Sequence, residues 1–485
     1  MPKRTAIIDL GSNSVRMAIF ERTSRLGFFI LREYKAKVRL GHGAYENGGI
    51  LQQAAMDEVA NALSEFKNYI RLYKVRKIIA GGTSALRDAP NAKDFVKRIS
   101  NELGINLRII SGQNEAFYGA LAALNLLPNM SDALCVDIGG GSTELAKLEN
   151  GKITHTLSLN LGTVRLKELF YDKNDKNGAN AYIKSLIDTL PNELKSQNII
   201  AIGGSLRAIS SAIIFNTNYA PKTLHAFSYE IKKQMNFIKK LCVENSAGLK
   251  ELGIKKDRFD TIGAGASIFS ALIEKIGAKA VITSSVGIRE GLFLHSILRP
   301  GIKFPANFNP SLKALQDRFC VIENASISRF ARILFEVLAP LHKLGKNELE
   351  LLNVASKIFN VGRKIGYYSE AKNSAYIVLS GLNYGYTHEQ ICSIASICEL
   401  NGKDFEKEAL GEFAAVILSK DGSFKALKWL CFLLGLARHL GVYTELGASY
   451  ENGVLRIKGA RKYPFLKETI LKLSLPEPFA ICFAE

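Results

Sequence analysis

The 485-residue chain contains no run of about 18 uncharged apolar residues and so offers no candidate for a membrane-spanning helix. Lys3 and Arg4 are followed by Asp9 and a Gly/Ser/Asn turn instead of an apolar leader core, and the chain is expected to be cytoplasmic, with no membrane partner. Cysteine is sparse and odd in number. Its seven positions (Cys135, Cys242, Cys320, Cys392, Cys398, Cys431 and Cys482) are scattered in mostly apolar surroundings, which suits reduced thiols and argues against disulfides or a zinc site. Acidic residues are in deficit, 45 Asp and Glu against 64 Lys and Arg, for a formal charge of +19. Such a charge attracts polyanions. No helix-turn-helix, zinc-finger or aromatic RNA-binding signature accompanies it, and the basic residues are dispersed, so no specific nucleic-acid partner is expected.

What the chain does have is the same phrase twice. Asp9-Leu10-Gly11-Ser12-Asn13-Ser14 follows the apolar run Ala6-Ile7-Ile8, and Asp137-Ile138-Gly139-Gly140-Gly141-Ser142 follows Ala133-Leu134-Cys135-Val136. Each reads as a buried strand ending in a carboxylate, then a tight turn of small residues whose backbone N–H groups and hydroxyls approach an anion closely. Two such loops facing each other would clamp one oligophosphate. Their separation is too long for a solenoid repeat and suits two duplicated α/β lobes.

The length predicts about three domains. Strands are expected at Thr5–Asp9, Val15–Phe20, Phe28–Tyr34 and Lys77–Ala80, with a helix over Gln52–Leu72. A second lobe begins near Ser131. Its strand Asn198–Ile202 enters Gly203-Gly204-Ser205 and a helix, another junction that places backbone amides near an anion. Pro300, Pro305 and Pro310 mark an expected linker. Beyond it helical periods appear near 325–338, 347–366 and 423–440, and Asn452-Gly453 predicts a terminal hairpin.

Hydrolysis of a phosphoanhydride needs a cradle for charge, usually a divalent cation, and a carboxylate to activate water. Gly139, Gly140, Gly141 and Ser142 form the strongest cradle, matched by Ser12 and Asn13. Asp9 and Asp137 stand at strand ends, where Mg²⁺ or Mn²⁺ is held through one or two carboxylates and substrate oxygens. Glu144, seven residues past Asp137, would reach the same cation or else sit on the strand surface. Arg87 would fork onto a phosphate or pair with Asp88 or Asp94. Glu115 opens a helix after Ser111-Gly112; a capping box headed by Ser111 would use position 114, an Asn, leaving Glu115 available for a water.

Taken together, these phrases resemble the exopolyphosphatase and guanosine pentaphosphate phosphohydrolase (Ppx/GppA) family. The resemblance is carried by Ile8–Ser14, Arg39-Leu40-Gly41, Thr83–Asn91, Ile110-Ser111-Gly112 with Glu115-Ala116, Val136–Glu144, Leu161-Gly162-Thr163, Ile202-Gly203-Gly204 and Gly287–Leu292. It implies an α/β fold of duplicated actin-like ATPase (ribonuclease H-like) lobes, 1–125 and 126–300, with a mainly α-helical HD-like domain over 301–485. It further implies Glu115 as general base, Asp137 and Glu144 on Mg²⁺, and Ser12, Asn13, Arg87, Gly140, Gly141 and Ser142 on phosphates. The implied substrates are inorganic polyphosphate, guanosine pentaphosphate or both, and a homodimer is expected by the same analogy. Other readings are a phosphotransferase related to acetate or sugar kinases, and a polyphosphate- or alarmone-binding regulator without turnover. Retention of Glu115, Asp137 and Glu144 argues against the regulator.

The chain also departs from the family pattern. Asn114 replaces a carboxylate beside Glu115, and Ser285 replaces a frequent Asp. Where the helical domain's metal-binding phrases would fall, the chain reads Phe359-Asn360-Val361-Gly362 and Ala371-Lys372-Asn373-Ser374. The third domain is therefore expected to be non-catalytic.

Overall fold

A computed structural model describes residues 3–298, 301–320, 325–443 and 445–485. It divides into two compact units, Met1–Phe308 and Asn309–Glu485.

The first unit holds two sheets of the same plan. One contains β1 (Lys3–Leu10), β2 (Val15–Arg22), β3 (Phe28–Ala36), β4 (Lys77–Gly82) and β5 (Leu107–Ile109), in the order β3-β2-β1-β4-β5. The other contains β6 (Asp132–Ile138), β7 (Thr143–Glu149), β8 (Lys152–Leu159), β9 (Asn198–Ile202), β10 (Ser228–Glu230) and β11 (Ala280–Thr283), in the order β10-β11-β9-β6-β7-β8. In each, the first three strands form an antiparallel meander, and the first strand then pairs in parallel with a strand from beyond a crossover, β1 with β4 and β6 with β9. Ile7, Ile8, Leu134 and Val136 are wholly buried, as expected of central strands covered on both faces. This repeated plan is the actin-like fold.

Two helices cross between the sheets. Gly112–Leu126 leaves the first sheet and leads into β6. Ile288–Ile297 follows the last strand of the second sheet and returns to the first, where Phe293 stacks on Phe20 with ring centroids 4.3 Å apart. The helices meet at Gly291, where an added Cβ would overlap the carbonyl oxygen of Tyr118. After them, Phe304 N–H donates to Asn125 Oδ1 (3.1 Å) and Asn125 Nδ2 to the Ile302 carbonyl (2.8 Å), so this part of the expected linker is tied to the crossing helix. Pro300 lies outside the described residues, and Pro310 is the first residue of a helix, Pro310–Phe319, capped by the Asn309 side chain.

The second unit is mainly helical around Ser423–Leu440, whose Trp429, Leu433, Leu434 and Leu436 are fully buried. The expected helix over 347–366 ends at Ile358, and a 3₁₀ turn takes over at Val361–Lys364. Asn452-Gly453 joins two paired strands, both residues at positive φ, as a two-residue hairpin turn demands. At the degenerate phrases, Gly362 N–H donates to Ser374 Oγ (2.9 Å), and a Cβ on Gly362 would strike the Glu370 carbonyl. Phe359 and Asn360, in the first phrase, are buried. Among the described residues no helix is long and apolar enough to cross a membrane, and every cysteine is free.

Gly291→Ala is expected to force the crossing helices apart and to cost about 1–3 kcal/mol, the usual penalty of overpacking. Thermal unfolding checks it; an unchanged midpoint would show that the crossing is not fixed.

Candidate active site

Both loops close on the same bond: Gly11 N–H to the Ser14 carbonyl (3.1 Å), and Gly139 N–H to the Ser142 carbonyl (2.9 Å). Each is backed by a second segment. Gly41 N–H donates to the Ser12 carbonyl (2.8 Å) and Arg39 N–H to that of Asn13 (3.1 Å); Thr163 N–H donates to the Gly139 carbonyl (3.0 Å) and Val164 N–H to that of Gly140 (2.8 Å). The short phrases Arg39-Leu40-Gly41 and Leu161-Gly162-Thr163 thus brace the loops from behind. Across the gap the loops touch. A Cβ on Gly140 would come within 3.2 Å of Ser12 Cβ, and one on Gly141 would overlap Tyr45 Oη and Ser84 Oγ. Tyr45 Oη donates to Ser12 Oγ (3.0 Å), and Arg165 lies 4.4 Å over the Tyr45 ring while donating to the Gly141 carbonyl (2.8 Å) and pairing with Asp88 (2.5 Å).

A polar cavity of about 140 Å³ lies between the loops. Of the sequence-predicted residues, Asp9, Ser12, Asn13, Glu115, Asp137, Gly139, Gly140, Gly141, Ser142, Gly203 and Gly204 line it. Arg87 and Glu144 do not. Arg87 stands behind, donating to Glu115 Oε2 (3.0 Å) and the Ile110 carbonyl (3.1 Å), with Ser142 Oγ at 3.4 Å and Glu144 at 3.8 Å. In this structure Arg87 grips the candidate base and lies 4.0 Å from Asp88, the ion-pair partner expected as the alternative to a phosphate. Glu144 is 3% exposed and accepts from Ser158 Oγ (2.9 Å), so it is neither a surface carboxylate nor a wall of the cavity.

Register explains the difference between the strand ends. Asp9 faces Arg16 across β1 and β2, whereas Asp137 faces Glu144 across β6 and β7. Desolvation pushes the Asp9 carboxyl up, against the pull of Arg16 and Arg289. It lifts Asp137 to about 6. Burial and the Asp137 charge raise Glu144 to about 7. Burial, and then Glu144, push Glu115 well above the usual carboxylate range, with Arg87 holding it back. Gly203 carries φ +86°, and a Cβ there would overlap Asp137 Oδ1, so only glycine lets this carboxylate reach the cavity.

The cavity also holds five cations that motif reading missed: Arg16, Lys35, Arg207, Arg258 and Arg289. Arg289 pairs with Glu33 (2.6 Å), and Arg207 donates to the carbonyls of Ser284 (2.7 Å) and Val286 (3.1 Å), its guanidinium lowered to about 10 by burial. Arg258 sits beside Gly204, within 2.7 Å of where a Cβ would stand, and makes no ion pair among the described residues. Arg16 was legible as the residue facing Asp9, and Arg289 lies inside the quoted Gly287–Leu292 phrase. Lys35 and Arg258 come from segments with no motif. At Ser285, the backbone N–H approaches His225 Nδ1 (3.3 Å), away from the cavity wall.

Two facing anion loops, crossing helices between duplicated sheets and a carboxylate at the cavity wall define a phosphate-processing enzyme of the actin-like class. The profile of the Ppx/GppA phosphatase family matches residues 18–300, more than half of the chain, and the chain belongs to that family; it is a phosphoanhydride hydrolase. It is 25% identical to a guanosine-5'-triphosphate,3'-diphosphate pyrophosphatase of Pseudoalteromonas translucida over 93% of this chain and 91% of that one. It is 26% identical to a bifunctional 3-dehydroquinate synthase/phosphatase of Fusobacterium nucleatum, over 60% of this chain and 46% of that protein. Among solved structures, an Aquifex aeolicus Ppx/GppA family member matches with a TM-score of 0.52 at 27% identity, covering 62% of this chain and 99% of the other. A Cytophaga hutchinsonii exopolyphosphatase shares the fold, with a TM-score of 0.56 at 21% identity over 62% and 100% of the two chains.

Glu144 shifts from 4.5 unfolded to about 7 folded. The folded state therefore holds the proton more tightly, and the stability this gives is full below about 4.5 and lost as pH rises through about 7. In metal-free protein the melting temperature is expected to fall over that window, and Glu144→Gln to flatten the fall. Identical pH slopes in the two proteins would refute it.

Proposed function

We propose that the chain removes the terminal phosphate of a linear oligophosphate, with Glu115 as general base. Supporting this is one observation: Glu115 lines the cavity between the loops and accepts a hydrogen bond from Arg87 (3.0 Å). The terminal phosphate lies against the backbone of Gly139–Ser142 and Gly203-Gly204, and Ser12 and Asn13 close from the other lobe. Glu115 takes a proton from water as its oxygen bonds to the terminal phosphorus; the bridging P–O bond breaks, and orthophosphate leaves the shortened chain. Arg87 orients the carboxylate and favours its charged form.

A divalent cation, Mg²⁺ or Mn²⁺, fits the donor set. Asp9 and Asp137 are hard oxygen donors whose carboxyls burial destabilises as anions, and neither accepts a side-chain hydrogen bond among the described residues. No cluster of three metal-ligating side chains forms among those residues, so the expected trio with Glu144 reduces to two carboxylates, the usual complement for Mg²⁺ alongside substrate oxygens and water. Bound there, the cation would neutralise charge at the anhydride.

For the substrate, inorganic polyphosphate is the reading the cavity favours. Its aliphatic side chains are Ile138 and Ile288, and its described lining includes no aromatic ring to hold a base, while five cations provide a track for phosphates. Guanosine pentaphosphate presents the same terminal anhydride and is the second substrate.

Orthophosphate release is expected to be faster from polyphosphate than from guanosine pentaphosphate, and Glu115→Gln is expected to lower both by about 10²–10⁴-fold. Full activity in that variant would remove Glu115 from the mechanism. Arg258→Ala is expected to raise KM for polyphosphate with little change in kcat; a kcat effect alone would place Arg258 at the reacting phosphate instead.

A further inference from the structure

A second cavity, about 570 Å³, opens on the far side of the crossing helices. That is a common size for a small-molecule site, roughly 300–1,000 Å³. One wall is a face of the first sheet. Lys77, Ile79 and Gly81 alternate along β4 on that face, and Arg108 joins them as the partner of Gly81 on β5. The other wall is the hinge itself: Asn114 and Tyr118 from Gly112–Leu126, and Leu292 and His295 from Ile288–Ile297.

The chemistry of the walls is specific. Lys77 and Arg108 make no ion pair among the described residues, which leaves two cations for an anionic group. Leu292, Ile79 and Ile110 give an apolar floor, with the Ile110 side chain lying over Gly81. Tyr118 and His295 meet edge to face at 5.5 Å, presenting rings at the hinge end. Asn106 and Asn114 add amides at the rim. Cations, a flat apolar floor, ring edges and amides together match a molecule with phosphates at one end and a planar heterocycle at the other.

We propose that this cavity is an effector site for a nucleoside phosphate, coupled to catalysis through the hinge. The coupling is short. Asn114 lines this cavity and its neighbour Glu115 lines the catalytic one, on the first turn of the same helix. Tyr118, in the cavity wall, is also the residue whose carbonyl Gly291 abuts where the helices cross. A ligand wedged between Tyr118, Leu292 and His295 shifts or fixes the helix that carries Glu115, and so slows each turnover without competing for the cleft.

The test is calorimetric binding of ADP and of GDP to the full-length protein. One or both are expected to bind, and Lys77→Ala/Arg108→Ala to weaken binding about tenfold or more, the loss expected from charge-assisted contacts. Ser296→Trp, which fills the cavity from its rim, is expected to do the same, whereas Arg258→Ala in the catalytic cleft leaves binding unchanged. With saturating polyphosphate, the nucleotide is expected to lower kcat severalfold in the wild type and not in the double variant. No binding by either nucleotide, binding indifferent to Lys77 and Arg108, or binding lost in Arg258→Ala would overturn the site. An effect confined to KM would overturn the coupling. Because binding is read apart from turnover, the site stands or falls separately from the proposed polyphosphate activity.

Discussion

Close backbone approach, possible only at glycine, is the constraint on which the first unit depends. It operates at two points. At the mouth, Gly140 and Gly141 lie against Ser12, Tyr45 and Ser84; at the hinge, Gly291 lies against the Tyr118 carbonyl. A side chain at either point pushes the sheets apart by the thickness of a methyl group, and a cradle of backbone amides is useful only at hydrogen-bond distance. The glycines are therefore unrelated to flexibility in the usual sense. They set how near two rigid sheets come, and the braces Arg39-Leu40-Gly41 and Leu161-Gly162-Thr163 hold the loops at that separation.

The duplicated plan gives the two strand ends equal positions and unequal chemistry. The residue facing Asp9 is Arg16, a counter-charge; the residue facing Asp137 is Glu144, a like charge. Burial raises both strand-end carboxyls, but Arg16 pulls back on Asp9 in one lobe, whereas in the other Asp137 pushes Glu144 further up. Glu115 is close enough to feel this second pair, and Arg87 is placed against both Glu115 and Glu144. The electrostatic asymmetry of the cleft therefore follows in part from a difference of sign between two copies of the same hairpin.

This explains what was legible in the sequence and what was not. The loops were legible because a carboxylate at a strand end followed by successive small residues has few other uses, and their repetition predicted the duplicated sheets. Glu115 was legible because its capping position was one residue out of register with a capping box, and Ser111 does accept from Asn114 N–H (3.3 Å), leaving Glu115 free of the cap. For Arg87, spacing shows that a turn carries an arginine but not that its guanidinium holds Glu115. Lys35 and Arg258 were illegible for a related reason: they belong to a strand edge and a 3₁₀ turn whose meeting at the cavity is decided by tertiary packing alone.

The helical unit shows the opposite economy. Where the resembled phrase would require imidazole and carboxylate, the chain has Phe359 and Asn360, both buried. Phe359 stands at the phrase's histidine position and belongs to the apolar core of this unit. Packing residues thus occupy the first of the degenerate phrases in the helical unit, and the cavity lined by the two anion loops lies in the first unit.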